Sequence, residues 1–133
     1  MTYHFSVTVR EDFDRVVEKT RASLAEEGFG IISEIDLAAT LREKLGHEMA
    51  PYLILGACNP PFALKAVMSD PSIGTLLPCN VVVRQEDDGV VIDFMDPEAV
   101  LELVKAPGVR EVADDVRTRM EQVRDTLANG WHD

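Results

Sequence analysis

Val81-Val82-Val83-Arg84-Gln85-Glu86-Asp87-Asp88-Gly89-Val90-Val91-Ile92-Asp93-Phe94-Met95 is the stretch on which the fold turns. Two runs rich in β-branched and aromatic residues flank an acidic loop ending in Asp-Gly, which readily supplies the positive φ of a tight hairpin. The reading is an antiparallel pair: a strand from Leu76 to Arg84, the loop Glu86-Asp87-Asp88-Gly89, and a return strand from Val90 to Met95. Pro78 lies near the start of the first strand, where proline is best tolerated.

Downstream, Asp96-Pro97 predicts a short helix, with Asp96 as cap and Pro97 in the first position. Pro107-Gly108 ends it. Val109, Val112, Ala113, Val116, Met120, Val123 and Leu127 then recur at helical spacing, the stripe of a long last helix closed by Gly130.

Upstream, Tyr52 to Cys58 is apolar on both faces, as in a central strand. Asn59 is expected to cap the following helix, with Pro60-Pro61 in its first turn and a break at Asp70-Pro71. Ser72-Ile73-Gly74 reads as a turn. Asp36 predicts the cap of a short helix with the stripe Leu37, Leu41, Leu45, ended by Gly46. At the N-terminal end Tyr3, Phe5, Val7 and Val9 alternate as a half-buried strand. Glu11-Asp12 opens a helix carrying Phe13, Val16, Val17, Thr20 and Leu24, Gly28 stops it, and Phe29 to Ile35 is a second strand.

The order β-α-β-α-β-α-β-β-α-α with its late hairpin predicts an α+β fold. Residues 1–133 form a single domain with a largely antiparallel sheet and helices packed on one face. A hydrophobic content of 46% agrees with a core of ordinary size. No apolar run approaches the ~20 residues that span a bilayer, and the N-terminus lacks the pattern of a signal peptide, so a cytoplasmic location is expected. Thirteen basic against 24 acidic residues give a net charge of −11. Such a surface repels phosphate backbones and anionic lipid, so neither nucleic acid nor membrane is an expected partner.

Two cysteines in such a chain read as reduced thiols. They form no C-x-x-C pair and fall short of a structural zinc set, while His4, His47 and His132 are scattered. Each cysteine is followed by asparagine: Cys58-Asn59 and Cys79-Asn80. Cys58 ends a strand just before a helix, where the helix N-terminus favours thiolate. If its strand and that of Cys79 are antiparallel neighbours, both thiols lie at one end of the sheet; if parallel, they lie at opposite ends. The asparagines add amide donors and acceptors. Cys58, Asn59, Cys79 and Asn80 are therefore the candidate ligand site, with Cys58 and Cys79 as candidate ligands of a soft metal. The competing reading is packing, because free cysteine is among the most buried residue types.

The stretches Glu34-Ile35-Asp36, Leu53-Ile54-Leu55-Gly56-Ala57-Cys58-Asn59-Pro60, Asp70-Pro71-Ser72-Ile73-Gly74, Leu76-Leu77-Pro78-Cys79-Asn80-Val81-Val82-Val83 and Asp96-Pro97 resemble a known family, domain of unknown function 302. The resemblance implies a compact α+β fold similar to the TATA-binding protein, an antiparallel sheet, and assembly as a homodimer. It implies no activity.

Other polar groups have weaker claims. His47, after a helix-ending glycine, is a candidate ligand or base for the cysteine site. Glu34 and Asp36 could pair as acid and base, but Asp36 already serves as a cap. Glu86-Asp87-Asp88 lacks the pattern of a calcium loop. Glu111, Asp114, Asp115 and Glu121 form the wet face of the last helix. The residues leave any cofactor unknown and show no catalytic set, phosphate loop or nucleophile elbow. Three readings follow. The first is a small binding or redox-linked protein whose Cys58/Cys79 site takes a soft metal, a haem-like group or a small molecule. The second is a homodimeric interaction module with packed cysteines, joined through Met95 and its hairpin or through the stripe of the last helix. The third is an enzyme with Cys58 as nucleophile, for which only His47 or a distant carboxylate offers a base.

Overall fold

The computed structural model describes residues 2–131, so His132 lies outside the described residues. Strands β1 (His4–Val9), β2 (Gly30–Asp36), β3 (Tyr52–Cys58), β4 (Cys79–Glu86) and β5 (Gly89–Met95) form one sheet in the order β1-β5-β4-β3-β2. Every neighbouring pair is antiparallel. Helices α1 (Phe13–Glu26), α2 (Leu37–Leu45), α3 (Pro60–Ser69), α4 (Pro97–Val100) and α5 (Val109–Asn129) connect or follow the strands. The β4–β5 hairpin forms as its sequence predicts, with Val81 opposite Phe94 and Val83 opposite Ile92.

Paired residues on antiparallel strands share a face, so these four side chains point the same way. Leu55, Val81, Val83, Val90, Ile92 and Phe94 are all fully buried on that face. Val16 and Leu24 of α1, and Val109, Met120 and Leu127 of α5, cover it and are themselves 0–1% exposed. Thr20 enters this layer by donating its hydroxyl to the Val16 carbonyl at 2.8 Å, which satisfies the only polar group it carries inward.

The opposite face stays accessible. One register row crosses it: Ile35, Ile54, Val82, Asp93, Ser6. Its β2–β4 half is apolar, whereas on β5 and β1 the Asp93 carboxylate accepts from Arg84 Nε at 2.7 Å and from the Ser6 hydroxyl.

Three expectations are corrected. The strand expected from Leu76 begins at Cys79, because Pro71–Leu76 is wound into a 3-10 helix. Asp70 caps that helix by accepting from the Ser72 N–H at 3.1 Å, and its apolar residue Ile73 is drawn into the core. The stripe of α2 is no core stripe: no residue of α2 is buried, and Leu45 is 74% exposed. Its cap at Asp36 forms as expected, but α2 packs on β3 alone among the larger contacts, and one neighbour shields one side. The stripe of the last helix is not a free surface, since all seven of its residues are buried within the domain.

This contrast sets a stability test. Ile92→Ala should cost about 2–5 kcal/mol in urea unfolding through lost burial and a residual cavity, whereas Leu45→Ala should stay within about 0.5 kcal/mol. Equal losses at both positions would contradict the layer assignment.

Candidate functional site

The direction of β3 and β4 decides whether the two cysteines can share a site. They run antiparallel, with Ala57 opposite Cys79 and Gly56 opposite Asn80, so Cys58 and Cys79 lie at the same end of the sheet. Both thiols are free, and both line one cavity of about 160 Å³.

Next to the cavity, backbone segments approach one another closely. A Cβ on Gly56 would lie 2.1 Å from Ser33 Oγ and 2.8 Å from Pro78 Cγ, so only glycine lets β2 and the Pro78 ring approach β3 this closely. Beside Ser33 the β2–β3 register shifts, leaving Ile32 without a partner. Ile32 lines the cavity while 64% exposed, which marks the mouth at the sheet edge. Phe29, Leu77, Leu101 and Val116 supply deeper wall.

The roof is a polar clamp on one carbonyl oxygen. Gly28, at φ +86°, ends α1 and turns the chain into β2, with Phe29 N–H donating back to the Leu24 carbonyl at 2.9 Å. The Glu27 carbonyl left at this helix end accepts from Asn59 Nδ2 at 3.3 Å and from Arg119 Nη1 at 3.0 Å. The Arg119 guanidinium also lies 5.3 Å from the ring of Phe62, which faces the cavity. Asn59 therefore has a different task from the one expected. It occupies the cap position of α3 but makes no side-chain cap bond. Pro60 and Pro61 remove the first two N–H donors of that helix, and the amide turns to α1 instead.

Cys79 is 7% exposed, and burial first, then the neighbouring Cys58, push its thiol up to about 11. At neutral pH it is a protonated, nearly apolar wall atom rather than a thiolate. Cys58 is half-buried at the strand end. Apart from the two thiols, no ionisable side chain lines the cavity among the described residues, so it holds no base for a cysteine nucleophile. Nor does any group of three His, Cys, Asp or Glu side chains suited to a metal occur among them.

Of the other expected site residues, Asn59 joins the thiols as a buried wall residue. Asn80 does not: it is exposed and sits one position beyond Cys79, on the opposite face of the strand. His47 does not either. It is exposed in the loop before β3, and the seven residues of that strand put about 20 Å between its start and Cys58. Sequence reasoning missed Ile32, Phe62 and Arg119. Phe62 and Arg119 read as ordinary positions on helix faces, and a bulge on an edge strand has no signature in the alternation of β2.

Residues 5–127 match the family described as Domain of unknown function DUF302. The fold is similar to the crystal structure of an uncharacterized conserved DUF302 protein from Bacillus stearothermophilus, with a TM-score of 0.87 and 29% sequence identity over 96% of this chain and 99% of that one. No curated protein matches the chain. The stretches that carried the resemblance now lie at the antiparallel β3–β4 pair, the capped 3-10 helix and the start of α4, within the matched residues, and the chain belongs to the DUF302 family.

Proposed function

We propose that the chain is a small binding protein whose Cys58/Cys79 cavity takes one compact apolar molecule. A single observation carries this reading: two thiols from two strands line the same small, carbon-walled cavity. An apolar cavity of about 150 Å³ stays dry and takes a benzene-sized guest. The volume here is about 160 Å³. It is well below the roughly 300–1,000 Å³ of sites for larger ligands, so a haem-sized group does not fit. Two sulfurs, one held protonated, are half of a tetrahedral set, which favours an apolar guest over a soft metal ion.

Toluene is a suitable probe. It should raise Tm in proportion to its saturation of the site and slow the alkylation of Cys58 by N-ethylmaleimide. Ala66→Leu, which fills the cavity from α3, should abolish both effects. No change in either signal for the parent protein would end this reading.

Cys79 also links stability to pH. Its pKa is raised in the folded state from 9.0 to about 11, so its contribution is complete below pH 9 and is lost as pH rises towards 11. Urea unfolding of the parent protein minus that of Cys79→Val should change by an order of 2–3 kcal/mol across this window, since one pKa unit is about 1.4 kcal/mol. A flat difference would show that the thiol is not desolvated.

A second reading, a homodimer, rests on a different observation. The apolar half of the accessible sheet face, from 47%-exposed Ile35 across Ile54 to Val82, offers a surface that a second copy can cover. Sedimentation equilibrium should show a dimer that Ile35→Glu with Val82→Glu converts to a folded monomer. A monomeric parent protein at millimolar concentration would remove this reading.

A further inference from the structure

Leu101 has a cavity on each side. One is the thiol cavity; the other is a cleft of about 840 Å³ between the start of β1, the α4 region and the first turns of α5. The volume lies within the range of small-molecule sites. Phe5, Val104 and Ala113 are among its apolar lining residues. Its charged groups are in different states.

Three cations line the cleft, and they are engaged differently. Arg117 is fully committed: it lies 2.7 Å from Asp96, 3.5 Å from Glu98 and 3.7 Å from Glu121. Arg110 forms no ion pair or hydrogen bond among the described residues, and Lys105 reaches only the Glu102 carbonyl, at 3.4 Å. Neither cation is neutralised by a carboxylate, so both are available to an anionic group in the cleft. The anionic side is crowded instead. Glu98 and Asp114 both line the cleft, and Glu98 is pushed above its ordinary value by burial first and then, against the pull of Arg117, by the hydrogen bond and charge of Asp114. His4 completes the lining, its Nδ1 buried without a hydrogen-bond partner among the described residues. Arg110 and Asp114 are four residues apart and thus one turn apart on the same side of α5, about 6 Å along its axis.

An unpaired guanidinium and a crowded carboxyl pair lining one cleft match a ligand that carries both charges. We propose that this cleft binds a free α-amino acid with an apolar side chain. Its carboxylate meets Arg110 and Lys105, its ammonium meets Asp114 and Glu98, and its side chain lies on Phe5 and Val104. Guanidinium recognises carboxylate bidentately, which favours Arg110 as the anchor. The same layout discriminates: a dianion meets the Glu98–Asp114 pair, and a diamine meets the two cations.

Calorimetry on the full chain tests this with the apolar L-amino acids from alanine to tryptophan, and with the N-acetyl and amide derivatives of the tightest binder. At least one amino acid should bind. Each derivative, lacking one charge, should bind at least tenfold more weakly. Arg110→Ala should weaken the amino acid tenfold or more and leave the amide unaffected; Asp114→Asn should weaken the amino acid and leave the N-acetyl form unaffected. Both substitutions are at the surface, and an unchanged Tm verifies the fold. Ala66→Leu, which fills the thiol cavity, should leave amino-acid binding intact, so this site and the thiol cavity stand or fall separately. Absence of binding across the series, or derivatives that bind as well as the parent amino acid, would overturn the proposal.

Discussion

The pairing of Ala57 with Cys79 is the constraint from which the rest of the molecule follows. It places β3 antiparallel to β4, and the short hairpin then sets β5 and the buried face shared by Leu55, Val81, Val83, Ile92 and Phe94. A slip of one residue would turn every one of these side chains outward, because side chains alternate along a strand. Burial of that face gives the register its strength, and α1 and α5 find their places by covering it. The same pairing brings the two thiols to one end of the sheet. Core packing and the candidate site are thus consequences of one register.

Around that end the chain achieves close approach by removing atoms. Gly56 has no Cβ, so Ser33 and Pro78 can press against β3. Gly28 takes a positive φ, so α1 stops and hands its last carbonyl to Asn59 and Arg119. These two donors come from the cap position of α3 and from α5, so one oxygen links the ends of α1 and α3 to α5. A helix C-terminus carries partial negative charge, which makes the Arg119 guanidinium a well-matched partner. At the sheet edge the cavity meets Ile32, the unpaired residue of the edge strand.

Charge is distributed with similar economy. Exposed ion pairs such as Lys65–Glu111, at 3.4 Å, add little to stability. The Asp96–Arg117 pair differs, because Asp96 is 8% exposed, caps α4 through the Glu98 N–H and holds α5 against it. Arg117 also meets Glu98 and Glu121, whereas Arg110, two turns earlier on the same helix, forms no ion pair. Lys105 and Arg110 thus stand without carboxylate partners in a cleft that also carries Asp96, Glu98, Glu102 and Asp114.

Local chemistry alone determined much of this protein. The hairpin, the caps at Asp36 and Asp96, the stops at Gly28, Gly46 and Gly130 and the stripe of the last helix were legible, because each depends on residues within one or two turns of one another; the helix begun at Pro97 instead ends at Val100, before Pro107-Gly108. The candidate site was legible only in part. Cys58, Asn59 and Cys79 converge as the Cys-Asn repetition suggested, whereas Asn80 turns to the other face of its strand and His47 sits at the other end of β3. Strand direction, the bulge at Ile32, the carbonyl shared by Asn59 and Arg119, and the raised pKa of Cys79 belong to the tertiary structure. They arise between residues far apart in the chain, where burial and long-range pairing decide which atoms meet, and no local pattern encodes that choice.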